Sequence, residues 1–375
     1  MNVNQGLPLV IVEEILALLP IESLLRFRVV SREWFFLLGS ANFQTIRSKL
    51  LPPHRTQRFL KSRSSGLSLL SFEDVPEGSK HHDGNASKDK EGHLEPRIDE
   101  LYFPLKRADC LVKLIGSCNG LVCLDLEGNY DHFVLWNPHI RSCRELPKPN
   151  HASHCRYWVA YGFGYDSASQ DYKILLEWTW TVPPGVRERR TQIFSLKANS
   201  WKDIPNHWEL LLSEGFFLNG ALHWYTYKQV VGFDLEKEMF YKVAMPPPWV
   251  DAYEGRSDGL GLLGGQYLCL FWISRQSPTC VEYWVMMEYG VQASWVRFIE
   301  LPAKGPVYYE RDDLVRGFMN NHRHLWVQRR ETQFYVIEFR LEDEDEDCKI
   351  HKTVDAIPYT EAVTSPYTFS TEGME

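Results

Sequence analysis

The sequence predicts an α+β multidomain chain, a small helical module followed by an all-β body. Three observations predict it. In the first fifty residues apolar side chains recur at helical spacing. From about 105 to 362 the texture changes to short alternating or apolar runs bounded by Gly, Asn and Pro, the pattern of strands and turns. Of the 13 Trp, only Trp34 precedes residue 130, so the flat side chains that suit cross-strand pairing belong to the second part.

The helices come first. Val12, Ile15, Leu16 and Leu19 fall at i, i+3, i+4 and i+7, one face of a helix that Pro20 must end, because proline cannot continue the hydrogen-bond ladder. Ile21, Leu24, Leu25 and Phe27 predict a second helix. Ser31 is placed to cap a third, carrying Trp34, Leu37, Leu38 and Ala41, with Gly39 as an early stop. Asn42 is the expected cap of a short last helix through Lys49. About 40 residues is near the lower limit for an independent fold. The segment nevertheless carries over a dozen large apolar side chains, each worth roughly 1.5–3 kcal/mol when fully buried. Three short helices cannot hide them all. The surplus requires another surface, either the rest of the chain or a partner protein.

A connector is expected over 51–104. The stretch 47–63 carries six basic residues and no acid, and reads as a solvated link with Leu50, Leu51, Phe59 and Leu60 packing inward. Residues 73–100 are polar and aperiodic, which predicts a flexible insertion. Within 105–362, Leu121–Leu124, Phe133–Trp136, Tyr172–Leu176 and Phe334–Phe339 read as strands. An aliphatic-Pro pair recurs at Leu146-Pro147, Ile204-Pro205, Met245-Pro246, Leu301-Pro302 and Ile357-Pro358, and Asn119-Gly120 and Asn219-Gly220 precede strands. Repeats of four-stranded blades take about 40–50 residues. The body therefore reads as an irregular β-propeller of five or six blades, a two-sheet packing being the alternative. Residues 363–375 are expected to be a tail.

Composition narrows the function. The net charge is −8, so a chain-wide basic footprint for nucleic acid is absent. No apolar run is long enough to cross a bilayer, and the N-terminus lacks the pattern of a signal peptide. Eight cysteines at irregular spacing, without a C-x-x-C pair, point to reduced thiols and a cytoplasmic or nuclear setting. The sequon Asn85-Ala86-Ser87 would be silent there. Gly259-x-Gly261-x-x-Gly264 satisfies the dinucleotide fingerprint only as a string; its polar flank and following apolar run predict a turn between strands. Cys143, His151, His154 and Cys155 fit no usual zinc spacing, and neither a metal nor a cofactor is expected. The acidic run Glu342–Asp347 reads as a solvated loop. No catalytic motif is present, so the chain reads as non-enzymatic.

The residues also carry a family resemblance. Leu7-Pro8, Ile15-Leu16, Leu19-Pro20, Ser23–Arg28 and Val30–Trp34 resemble the F-box pattern in order and spacing. Gly116–Val122, Leu135–Pro138 with Arg141, Tyr161–Asp166 leading to Asp171-Tyr172-Lys173, Asn219–Trp224 and Ser294-Trp295 resemble the plant F-box-associated domain of the kelch-like interaction class. The long insertion at 73–100 departs from it. The resemblance implies a substrate-recognition subunit of a Skp–cullin–F-box ubiquitin ligase: the F-box, residues 1–50, docks on a Skp-family adaptor, and through it on cullin and RING subunits. The β domain, residues 105–362, then captures a protein substrate. Carried over by motif position, Leu7, Pro8, Ile15, Leu16, Leu19, Pro20, Leu24 and Leu25 are the adaptor candidates. Ile15 and Leu25 suit the module's own core equally well, and Trp34 suits it better. For substrate, exposed aromatics beside Pro/Gly-rich loops are the natural anchors. Trp178, Trp180, Trp249 and Tyr253 have that setting, and padding of blade edges is the competing role. The rival functions are an F-box scaffold or sequestering module outside the ligase, and a glycan-binding β domain.

Overall fold

The structure, a computed structural model, describes residues 8–50, 56–63, 66–73, 97–105, 112–126, 128–150, 157–182, 186–205, 211, 214–226, 229–246, 258–263, 266–273, 280–302, 315–320, 324–329, 333–338, 349–353, 356–359 and 362–367. Four helices open the chain. Helix α1 (Leu9–Ala17) follows Pro8, whose restricted φ of −52° suits a helix start. Helix α2 (Ile21–Phe27) starts directly after Pro20, which separates it from α1 as expected. Helix α3 (Arg32–Gly39) is capped as expected: the Trp34 amide donates to Ser31 Oγ at 3.2 Å. For α4 (Ala41–Leu50) the expectation fails, because the cap is Ser40, not Asn42. The Phe43 amide donates to Ser40 Oγ at 3.1 Å, and that hydroxyl donates to Leu37 O at 2.8 Å, so one serine satisfies the end of α3 and the start of α4. Leu16, Ala17, Ile21, Leu24, Leu38 and Phe43 form the buried core of the module. Trp34 packs edge-on against Phe27 at its margin. Arg47 ties α4 to the orphan carbonyls at the end of α1, donating to Ala17 O at 2.8 Å and Leu19 O at 2.5 Å.

The β body comprises six four-stranded antiparallel sheets among the described residues. The first sheet contains β1 (Thr56–Arg63), β2 (Gly66–Glu73) and β3 (Arg97–Leu101). The second runs β4 (Val112–Cys118), β5 (Leu121–Leu126), β6 (Phe133–Asn137) and β7 (Ser142–Glu145). The third runs β8 (Tyr157–Asp166), β9 (Asp171–Val182), β10 (Val186–Ser195) and β11 (Ser200–Ile204). The fourth runs β12 (Phe216–Leu218), β13 (Ala221–Thr226), β14 (Gln229–Asp234) and β15 (Met239–Val243). The fifth runs β16 (Asp258–Leu263), β17 (Tyr267–Ile273), β18 (Cys280–Met286) and β19 (Trp295–Pro302). The sixth runs β20 (Val315–Asn320), β21 (His324–Arg329), β22 (Gln333–Glu338) and β23 (Lys349–Thr353). The last strand, β24 (Ala356–Pro358), returns to pair with β1 through Leu60↔Ile357.

This is the radial repetition of a propeller. The first strands of successive sheets lie side by side, β4 with β8, β8 with β12 and β16 with β20. Burial grades outward: every residue of β5 and β6 is buried, whereas β7 and β11 are largely exposed or half-exposed. Between the second and third sheets lies a core of Ile115, Phe133, Leu135, Tyr161, Phe163, Ile174, Leu176, Trp178 and Phe194. Asn119-Gly120 and Asn219-Gly220 both take positive φ, the geometry of tight hairpins whose twist matches the strands.

Four expectations need correction. The connector expected over 51–104 instead supplies three strands of the first blade, β1, β2 and β3. Leu60 is fully buried, and Arg58, Lys61 and Arg63 belong to the same strand, β1, which β24 pairs on one side. Leu50 is exposed; Leu51 and most of the 73–100 insertion lie outside the described residues, apart from Glu73 in β2 and Arg97–Glu100 in β3. The tail expected from 363 is buried over Val363–Ser365. Gly259 and Gly261 lie within strand β16 rather than in a turn. His151, His154, Cys155 and the acidic run 342–347 lie outside the described residues.

Candidate functional site

Helix α1 has two apolar faces. Leu16 and Ala17 point into the module's core. Ile11, Ile15 and Leu18 follow i, i+4 and i+7 and lie on the outside, 42%, 49% and 58% exposed. Val10, Pro8 and Pro20 are exposed as well. A second exposed pair, Val29 and Val30, lies in the turn after α2. An exposed apolar patch of this kind marks a candidate interaction surface.

The adaptor candidates therefore separate. Pro8, Ile15 and Pro20 are on the accessible surface, and Leu19 and Leu25 are half-buried beside the core. Leu16 and Leu24 are sealed inside the module and cannot meet a partner without unfolding it, so their role is packing. Leu7 lies outside the described residues. The structure adds Val10, Ile11, Leu18, Val29 and Val30 to the exposed apolar surface. The available signal was the apolar positions of α1 left over once the core-facing period is assigned.

The β body presents two ends. The β4–β5 turn at Asn119-Gly120 and the β6–β7 turn at Pro138–Arg141 face the helical module: Ile140 packs against the helical core. The opposite end holds the loop after β5 and the start of β4. There Lys113 Nζ donates to Tyr130 OH at 2.5 Å and lies 4.9 Å and 5.3 Å from the ring centres of Tyr130 and Tyr161. The two rings are 5.6 Å apart, and Tyr161 OH donates to Glu214 Oε2 at 3.2 Å. The Tyr130 amide donates to Asp125 Oδ2 at 2.9 Å, while burial pushes the Asp125 carboxyl up to about 6. Aromatic faces, one cation and two carboxylates thus meet where the second and third sheets adjoin.

Of the expected substrate anchors, Trp178 is a core residue, covered by the second sheet, and is withdrawn as a contact. Trp180 lies two residues further along β9, half-exposed, its Nε1 donating to Glu188 Oε2 at 3.1 Å. Trp249 and Tyr253 lie outside the described residues. Among the described residues Cys118, Cys123, Cys143 and Cys269 are free thiols, no group of His, Cys, Asp and Glu is placed to hold a metal ion, and no helix is long and apolar enough to cross a membrane.

Comparison with known proteins decides the family. The model of the F-box associated beta propeller domain matches residues 91–366. The chain belongs to this F-box-associated propeller family. The F-box domain model matches residues 5–44, the described part of which is α1 to the start of α4. An F-box/kelch-repeat protein of Arabidopsis thaliana is 27% identical over 315 residues, spanning 79% of this chain and 80% of the relative. The F-box protein CPR1 of the same plant is 26% identical over 360 residues, spanning 85% and 81%. Among solved structures, the SapL1 lectin in complex with alpha methyl fucoside superposes with a TM-score of 0.42 at 7% identity, spanning 80% of this chain and 92% of the lectin.

Proposed function

We propose that this F-box protein is the substrate-recognition subunit of a Skp–cullin–F-box ubiquitin ligase. The observation that carries the reading is the exposed face Ile11–Ile15–Leu18 on a helix whose other face is already packed. Among the described residues the chain's own β body touches the helices from elsewhere, through Ile140 and Val363, and that face stays open. An adaptor helix or groove of matching apolar character would cover it. The chain performs no chemistry in this reading. It holds a substrate beside a charged conjugating enzyme, and the gain is effective concentration.

The helical module and its contacts occupy one end of the propeller. Substrate therefore belongs at the other, where Lys113, Tyr130 and Glu214 lie around the buried ring of Tyr161. The test is affinity capture of the full chain from cells with the proteasome blocked, alongside Ile15→Asp, Leu18→Asp. Both side chains are outside the core, so the variant should fold. Adaptor and cullin should be lost from it, and substrates retained. Equal adaptor recovery from both chains would sink the assignment; an adaptor complex without cullin would assign the protein to sequestration instead.

A further inference from the structure

Several residues that carry the family likeness belong to neither proposed binding surface. Asn137, from Leu135-Trp136-Asn137-Pro138, is fully buried. Its Nδ2 donates to Ala362 O and Thr364 O, both at 2.8 Å, and its Oδ1 accepts from the amides of His139 at 2.9 Å and Ile140 at 3.3 Å. Both donors and both lone pairs of the amide are thereby used. Gly120, from the β4–β5 turn, lies against the same segment: a side chain there would place its Cβ 2.8 Å from the Ala362 backbone nitrogen, and φ is +78°. Beyond these contacts, Tyr367 OH donates to Cys143 O at 3.0 Å, and the Arg144 guanidinium carbon lies 5.8 Å from the Tyr367 ring centre.

Between those anchors, Val363 leaves the propeller and enters the helical module. It is fully buried and shares one apolar cluster with Leu16, Leu24, Leu38 and Phe43. The N-terminal module is thus finished by a residue more than three hundred positions downstream. Four helices of this length are close to the limit for independent stability, so one added core residue matters. The outward face of α1 is the one proposed above for the adaptor, and its inward residues, Leu16 and Ala17, belong to the cluster Val363 completes. The segment also follows β24, the strand that closes the ring onto β1, by only four residues.

We propose that Ala362–Tyr367 is a latch that completes the F-box core, making the adaptor surface conditional on closure of the propeller. A chain whose last blade has not closed cannot seat Val363, and its α1 and α2 stay loosely ordered. Asn137 and Gly120 form the seat of the latch.

The test uses the free full-length protein and hydrogen exchange, with adaptor affinity as a second readout that rests on the proposed ligase role. Val363→Asp and Asn137→Ala should exchange amides in α1 and α2 about tenfold faster or more, with β5, β9 and β13 still protected. Adaptor binding should weaken by about tenfold or more, because α1 must be ordered at the cost of binding energy. Val363→Ala, which removes only methyl groups, should fall between wild type and Val363→Asp, and it decides the matter if the charged variant loses strand protection too. Helix exchange within about twofold of wild type in Val363→Ala and in every variant whose strands stay protected would overturn the latch. A wild-type chain that binds no adaptor would overturn the ligase reading alone, since exchange still reports on the latch.

Discussion

His223 illustrates how the β body makes a titratable side chain structural. It is fully buried on β13. Its Nδ1 faces Phe216 O at 3.2 Å, and a carbonyl can only accept, so Nδ1 holds the proton. Nε2 then accepts from Tyr289 OH at 2.6 Å, and Tyr289 is in turn bonded to Tyr241, a chain that links the fourth and fifth sheets. Burial lowers the imidazole from 6.5 to about 4. The unfolded chain therefore takes up a proton before the folded one does, and stability falls as pH drops from 6.5 through about 4. The loss should approach the order of 3 kcal/mol at the acid end of that window. Denaturant midpoints measured across it should show this component in the wild type and lack it in His223→Gln; equal slopes for both would contradict it. At this scale the sequence was partly legible. Alternation puts Trp178 and Trp180 on the same side of β9. How far along the strand its neighbour reaches is a tertiary quantity, and it alone makes one tryptophan core and leaves the other half-open.

At the scale of elements, local rules worked where the cause was local. Pro20 parts α1 from α2, and Ser31 caps α3. They failed where two elements share a residue, as Ser40 serves both α3 and α4. The motif Asp171-Tyr172-Lys173 shows another shared function. Asp171 accepts from Ser195 Oγ at 2.5 Å and the Lys197 amide at 2.9 Å, stapling β9 to the end of β10. Lys173, almost fully buried, donates to Asp166 Oδ2 at 3.0 Å within its own sheet. It also reaches Leu235 O at 2.6 Å and Glu238 Oε1 at 3.2 Å in the next. The Asp166 and Glu238 carboxyls are held below their usual range: burial is offset at Asp166 by Ser169 and then Lys173, and at Glu238 by Lys202 and then Lys173, and the ammonium is raised. Removing one partner leaves a buried charge behind. Lys173→Ala should therefore cost about 3–5 kcal/mol in a chemical unfolding experiment. A loss of less than about 1 kcal/mol, the scale of an exposed pair, would show that solvent reaches the site.

The whole molecule is a ring closed by its own ends. Strand β24 covers β1, and without it β1 would present a row of unpaired backbone groups. A chain ending at Asp355 should unfold at a clearly lower temperature and self-associate at micromolar concentration, as followed by thermal melting and light scattering. A monomer melting within about 2 °C of wild type would show that closure adds little. Ring closure also explains why the first blade was unreadable from its own residues. Its first three strands are split by the long polar stretch 73–100, and their fourth member comes from far along the chain.

The sequence by itself determined the helical start, the Pro20 break and the Ser31 cap, the strand-rich body, the repeating turn chemistry and the family. All of these follow from periodicity and motifs confined to neighbouring residues. Only the tertiary structure decided that the sheets number six among the described residues, that Leu16, Leu24 and Trp178 are core, and that Val363 belongs to a module that begins the chain. The reason is burial. Spacing along a chain places side chains on a face, but only the element packed against that face determines whether it meets water, a partner or the protein itself.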